Sequence, residues 1–131
     1  MKIKSIGVVG AGQMGRGIAQ VAIQSGYEVF LFDVSEDSLA LGKSFIQKQL
    51  DRGVEKGKWD KISVEKAIST LSFVTKLEDL ATCDLIVEAA TENKEVKFEI
   101  FRNLDRVAKK DAILASNTSS ISITEIAAQT K

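Results

Sequence analysis

The chain has 131 residues, 44% of them apolar, which suits one domain with a buried core and is too short for two ordinary domains. Its 18 basic and 18 acidic residues give a net charge of zero, so the composition gives no sign of a polyanionic partner such as DNA. With one cysteine and no histidine, the chain lacks a disulfide framework, a thiolate metal cluster and the commonest general base.

The N-terminal part of the chain carries the pattern of a strand–helix–strand unit. An apolar run rich in β-branched residues predicts a buried strand over Ile3–Val9. Apolar residues at helical spacing predict a helix over Gln13–Ser25, which Gly26 would cap at its C-terminal end. A second strand is predicted over residues 27–33, so the unit has the order and length of a βαβ motif.

A longer connection separates this unit from the next predicted strand. Ser35 is a typical helix-capping residue, and the apolar spacing behind it predicts a helix over Ser35–Gln49. Gly53 and Gly57 interrupt the pattern, and a short helix is predicted over Ser63–Ser69. The sequence therefore predicts a helical hairpin inserted after the second strand.

Strands and helices continue to alternate in the second half of the chain. The predicted elements are strands over residues 71–75, 84–90 and 112–116 and a long amphipathic helix over Asn93–Lys109. Ser122 and Glu125 form a capping-box pattern that opens a last helix. This alternation predicts a single α/β domain over residues 1–131, built on a doubly wound parallel sheet.

A glycine-rich loop lies between the first predicted strand and the first predicted helix. In its G-x-G-x-x-G spacing, Gly10 permits a tight turn, Gly12 lets the backbone approach a diphosphate, and Gly15 lets the helix pack closely on the strand. Asp33, at the end of the second strand, could accept hydrogen bonds from ribose hydroxyls and repel a 2′-phosphate. These residues predict a Rossmann-type domain that binds NAD. The alternative, in which the glycines only pack and Asp33 only starts a turn, stays open.

Three stretches closely resemble the NAD-binding domain of the 3-hydroxyacyl-CoA dehydrogenase family. They are GAGQMGRGIAQ at 10–20, VEAATENKEVKFEIF at 87–101 and ILASNTSSISITEIA at 113–127. Within the family, the bacterial 3-hydroxybutyryl-CoA dehydrogenases look nearest. The resemblance implies an oxidoreductase that converts an L-3-hydroxyacyl-CoA to the 3-ketoacyl-CoA and passes the hydride to NAD. It also implies a place in lipid metabolism, in fatty acid β-oxidation or in butanoate metabolism.

The same resemblance implies which residues form the site. Cofactor contacts are implied at Gly10, Ala11, Gly12, Gln13, Met14, Gly15, Asp33, Glu92, Lys97, Asn117 and Ser119. Ser119 would also be catalytic, touching the reacting oxygens of the substrate, where a hydroxyl can donate or accept a hydrogen bond. Lys56, on the predicted hairpin, would contact coenzyme A, and no metal is implied. Without the resemblance, Glu92 also fits as an acid near a helix N-terminus, and Lys56 and Lys97 fit as surface charges.

The family's general base is a histidine in a His-Phe-Phe-Asn-Pro stretch, oriented by a glutamate, and neither residue is in this chain. The family's helical C-terminal domain, which closes the acyl site and usually forms a homodimer, is not in it either. We therefore expect the chain to bind NAD and to turn over little or no substrate by itself.

Two other functions are compatible with parts of the pattern. A β-hydroxyacid dehydrogenase of the gulonate type shares the glycine loop and a similar serine stretch, although the lysine-bearing hairpin argues mildly against it. An NAD-sensing Rossmann module without enzymatic activity is the other alternative. No run reaches the roughly 20 apolar residues of a membrane span, and the N-terminus does not resemble a secretion signal. We therefore expect a cytoplasmic protein with an acyl-CoA substrate and with neither a membrane nor a nucleic acid as partner.

Overall fold

The computed structural model describes residues 3–89 and 94–116, apart from the side chains of residues 94, 96, 97, 115 and 116. Its strands are β1 (Ser5–Val9), β2 (Glu28–Phe32), β3 (Leu71–Val74), β4 (Leu85–Glu88) and β5 (Ile113–Ser116). Within the described ranges these five strands form one parallel sheet in the order β3-β2-β1-β4-β5. The chain moves from β1 outward to β3 and then returns to the other side of β1, which confirms the doubly wound, Rossmann-type sheet.

Helices connect these strands. They are α1 (Gln13–Gln24), α2 (Glu36–Glu55), α3 (Lys61–Ser69) and α4 (Lys94–Val107), with a 3-10 turn at Leu77–Leu80 between β3 and β4. In the part of the chain that the structure describes, none of them is long and apolar enough to cross a membrane.

Helices cover both faces of the sheet, so its central strands are mostly apolar on both sides. Val8 of β1 belongs to a core with Ile23 of α1 and Ile46 of α2 on one face. The next residue, Val9, belongs to a second core with Leu104 of α4 on the opposite face. All five residues of β1 are buried, because β1 is the central strand of the sheet.

The helical hairpin after β2 is confirmed, but its first helix is longer than predicted. Ser35 caps α2 as expected, since its hydroxyl accepts a hydrogen bond from the Ser38 amide at 3.1 Å. The helix then continues past the predicted end at Gln49, through Gly53, to Glu55.

Gly53 is inside the helix because an aromatic ring needs the space above it. A Cβ at Gly53 would lie 1.9 Å from Cε3 of Trp59. Gly57, with a φ of 73°, follows the helix in a conformation that residues with a side chain rarely adopt. Asp60 then caps α3 through the Ser63 amide at 3.2 Å, and α3 begins at Lys61, two residues before the predicted start.

The remaining predicted elements are confirmed with small differences at their ends. β1 starts at Ser5 rather than Ile3, β4 covers only Leu85–Glu88, and α4 ends at Val107. The last predicted helix, opened by Ser122, lies outside the described residues.

Candidate active site

The glycine loop lies at the carboxyl ends of β1 and β4, where the strand order reverses and where open α/β sheets bind their ligands. Gly10 has a φ of 107°, which favours glycine, and its N–H donates a hydrogen bond to the Phe32 carbonyl oxygen at 2.8 Å. The tight turn expected at Gly10 is confirmed, and the loop is tied to the end of β2.

Gly15 brings α1 into direct contact with this loop. A Cβ at Gly15 would lie 1.6 Å from the carbonyl oxygen of Gly10, a distance at which the two atoms cannot coexist. The close packing predicted for Gly15 is therefore confirmed, and it needs no ligand to explain it.

Gly12 has a different environment. It is the N-cap of α1, with extended backbone angles, and a Cβ added there would meet no atom within 4 Å in the described part of the chain. Packing explains Gly10 and Gly15 but not Gly12, whereas the approach of a ligand to bare backbone does. The first turn of α1 contains no acidic residue, so no side chain of that turn offsets the positive end of the helix dipole.

Asp33 directly follows β2 and joins the glycine loop to the start of α2. Its Oδ2 accepts a hydrogen bond from the Ala11 amide at 2.9 Å, and its Oδ1 accepts one from the Ser35 amide at 2.9 Å. Asp33 therefore does start a turn, as the alternative interpretation held. Each carboxylate oxygen has a second lone pair, so the same side chain can also accept from a ligand.

The structure brings together the first half of the expected site and leaves the second half undescribed. Ala11 is buried, whereas Gln13 and Met14, the first two residues of α1, are exposed. The expected contacts outside the described residues are Glu92, Asn117, Ser119 and the side chain of Lys97.

Lys56 is not brought to the glycine loop. It is the exposed C-cap of α2, and the 20 residues of that helix, about 30 Å of length, separate it from Asp33. A ligand that touched both ends of α2 would have to be long.

Sequence reasoning missed two charged residues near the loop. Glu88 falls within a run that the sequence predicts to be an apolar strand, yet it ends β4 with a side chain that is fully buried. Arg16 lies with its guanidinium carbon 5.3 Å from the ring centroid of Phe45. No local pattern reveals this contact, because the two residues are 29 positions apart.

A second polar cluster lies at the opposite edge of the sheet, where the strands begin. Asp84 accepts hydrogen bonds from the amides of Lys4 at 2.8 Å and Ser5 at 3.2 Å, and it pairs with the Lys109 ammonium. Lys109 and these amides hold the pKa of the Asp84 carboxyl well below its usual range. Burial raises the pKa of the neighbouring Cys83 thiol to about 12, so it is not a ready nucleophile. This cluster joins the start of β4 to the start of β1, on the side away from the loop.

A doubly wound parallel sheet with a glycine loop at its reversal point defines a dinucleotide-binding domain. Residues 5–131 match the family model described as the NAD-binding domain of 3-hydroxyacyl-CoA dehydrogenase, and the chain belongs to that family. The match confirms both the expected family and NAD as its cofactor.

Curated relatives match nearly all of the chain. The 3-hydroxybutyryl-CoA dehydrogenase of Bradyrhizobium diazoefficiens is 51% identical over 128 residues, which are 98% of this chain and 44% of the relative. The human mitochondrial hydroxyacyl-coenzyme A dehydrogenase is 42% identical, covering 95% of this chain and 42% of the relative. The chain thus spans less than half the length of these two relatives.

Solved structures show the same relation. FadB2 from M. tuberculosis superposes with a TM-score of 0.95 at 47% identity, covering 100% of this chain and 46% of that one. The 3-hydroxybutyryl-CoA dehydrogenase from Escherichia coli K12 superposes with a TM-score of 0.97 at 40% identity, covering 100% of this chain and 28% of that one.

Proposed function

We propose that residues 1–131 are the NAD-binding domain of an enzyme that oxidises an L-3-hydroxyacyl-CoA, of the 3-hydroxybutyryl-CoA type, to the 3-ketoacyl-CoA. The observation that carries the proposal is the position of Asp33, held by the Ala11 amide at 2.9 Å beside the open backbone of Gly12. The hydroxyacyl-CoA names of the relatives favour this substrate class over a gulonate-type hydroxyacid or an NAD-sensing module.

The residues present fit a dinucleotide. A diphosphate would lie against the backbone amides at the start of α1, close to Gly12, where the helix dipole favours negative charge. The free lone pairs of Asp33 would accept hydrogen bonds from the ribose hydroxyls, and its charge would repel a 2′-phosphate. This arrangement selects NAD over NADP.

The remaining roles follow from the family. The chemistry that bound NAD would supply is an acceptor for the hydride from C3 of the substrate. Glu92, Lys97 and Asn117 contact the cofactor towards its nicotinamide end, and the Ser119 hydroxyl donates a hydrogen bond to the reacting oxygen of the substrate. Lys56 contacts the coenzyme A part.

The reaction also releases a proton from the C3 hydroxyl, and this chain has no histidine to accept it. We therefore assign the acid–base step to a helical C-terminal domain of the whole enzyme, and the family resemblance assigns homodimer formation to the same domain. We place the whole enzyme in the cytoplasm, without a membrane or nucleic-acid partner. This chain contributes cofactor binding and orientation.

Calorimetric titration of the chain with NADH and NADPH tests the proposal. Asp33→Asn removes the negative charge of the side chain that accepts hydrogen bonds from the ribose hydroxyls. The affinity for NADH should therefore fall about tenfold, and the preference for NADH over NADPH should shrink. Asp37→Asn is the matched control, since Asp37 is exposed in the first turn of α2 and loses the same charge. Absence of NADH binding by the parent chain, or an unchanged preference in a folded Asp33→Asn variant, contradicts the proposal.

A further inference from the structure

The guanidinium of Arg16 has no anionic partner in the part of the chain that the structure describes. Its Nε is buried without a hydrogen-bond partner, and its guanidinium carbon lies 5.3 Å from the ring centroid of Phe45. A buried N–H donor that is left unsatisfied is costly. The guanidinium of Arg16 therefore has donor capacity left for a ligand.

Arg16 lies in the groove between α1 and α2, one helical turn beyond the glycine loop. It is the fourth residue of α1, and its amide donates the first bond of that helix to the Gly12 carbonyl oxygen at 2.9 Å. At the top of the same groove, Gly42 of α2 lies against Ala11, with 3.6 Å from an added Cβ to the Ala11 carbonyl oxygen. The cation–π contact with Phe45 therefore places the guanidinium between α1 and α2.

The side of α2 that carries Phe45 continues as a line of positive charge. Arg52 and Lys56 follow Phe45 at 7 and 11 positions, a spacing that keeps residues on one side of a helix, and both are exposed. Asp51 and Glu55, the acidic residues in this half of α2, do not follow that spacing and so lie on another side of the helix. From Phe45 to Lys56 the line is about 16 Å long.

We propose that Arg16, held on Phe45, binds the diphosphate of the coenzyme A moiety in the groove between α1 and α2. This inference rests on the proposed function. A guanidinium binds phosphate oxygens in a planar, two-bonded manner. Along coenzyme A, counted from the acyl end, the diphosphate comes before the 3′-phosphate. Arg16 contacts Phe45, which is the end of this line nearest the glycine loop, so Arg16 meets the diphosphate. Lys56, at the far end, meets the 3′-phosphate.

Titration calorimetry with coenzyme A and with dephospho-coenzyme A tests this assignment. Arg16→Gln should weaken both ligands about tenfold, because the diphosphate is common to them, and should leave NADH binding unchanged. Arg106→Gln is the matched control, since Arg106 is an exposed arginine on α4 and loses the same charge. Lys56→Gln should weaken coenzyme A but not its dephospho form.

Salt dependence separates ligand binding from a merely structural role. Removing one phosphate contact should lower the slope of log Kd against log salt concentration for coenzyme A in Arg16→Gln, an effect that a loss of packing does not produce. The inference is wrong if Arg16→Gln binds coenzyme A like the parent, if it weakens NADH instead, or if the parent binds NADH but no coenzyme A. A parent chain that binds no NADH contradicts the proposed function itself.

Discussion

At Gly15 the first helix lies so close to the glycine loop that an added Cβ would stand 1.6 Å from the Gly10 carbonyl oxygen. Two residues further along α1, Gly17 has no atom within 4 Å of an added Cβ in the described part of the chain. The same substitution should therefore have opposite effects at these two positions.

Gly15→Ala should lower the free energy of unfolding by about 1–3 kcal/mol, because either the helix or the loop has to move. Gly17→Ala should raise it by up to about 1 kcal/mol, since alanine is the better helix former and the space is open. Urea denaturation of both variants measures the two changes. Equal effects would mean that the contact at Gly15 is not as tight as the structure has it.

The Asp84 carboxyl makes the free energy of unfolding depend on pH. Because its pKa is lower in the folded chain than in the unfolded chain, the charged carboxylate stabilises the fold above about pH 4, and this stabilisation is lost as the pH falls below that value. Asp84→Asn should be less stable than the parent near neutral pH, and the difference should shrink on acidification. Urea midpoints across the pH range measure it, with Asp37→Asn as an exposed control, and a pH-independent difference would contradict the assignment.

At the scale of elements, the hairpin depends on the contact between α2 and the turn that follows it. Trp59 is the only tryptophan of the chain, and its ring occupies the space above Gly53. Its fluorescence therefore reports directly on this contact.

Gly53→Ala should displace the Trp59 ring, shift its emission to longer wavelength and lower the free energy of unfolding by about 1–3 kcal/mol. Gly57→Ala is the comparison: its φ of 73° makes alanine cost about 1–2 kcal/mol, yet no side chain would be pushed aside. Its emission should stay unchanged. An unshifted emission in Gly53→Ala would show that the ring is not held there.

The order and type of the strands and helices could be predicted from the sequence because both depend on local periodicity. The end of α2 could not, since a glycine inside a helix costs about 1 kcal/mol relative to alanine and was read as an interruption. Contact with Trp59, across a turn, outweighs that cost. The glycine loop and Asp33 were predictable from their spacing alone, whereas the cation–π contact of Arg16 with Phe45 exists only once α1 and α2 have packed.

At the scale of the whole molecule, the two ends of the strands carry different groups of residues. The carboxyl ends of the strands carry the glycine loop and Asp33, and the amino ends carry Asp84 and its partners. A ligand that binds the folded chain at the carboxyl ends should stabilise it by mass action.

NADH should therefore raise the free energy of unfolding by about 2.7 kcal/mol at about a hundredfold excess over Kd. The melting temperature, measured in a thermal scan, should rise with the NADH concentration.

With 3-hydroxybutyryl-CoA and NAD, the same chain should form little or no NADH, since it has no histidine to accept the proton. Absorbance of NADH measures this. Turnover at the rate of an intact dehydrogenase would contradict the proposal that the acid–base step needs a residue outside this chain.

Asp33 links coenzyme choice to the integrity of the architecture. The carboxylate that would discriminate between the two dinucleotides also tethers the amides of Ala11 and Ser35. Redesigning the preference towards NADP by exchanging this side chain would cut one tether with asparagine and both with a residue that has no acceptor. An altered coenzyme preference, in the laboratory or in evolution, would therefore need compensating changes elsewhere to restore the anchoring.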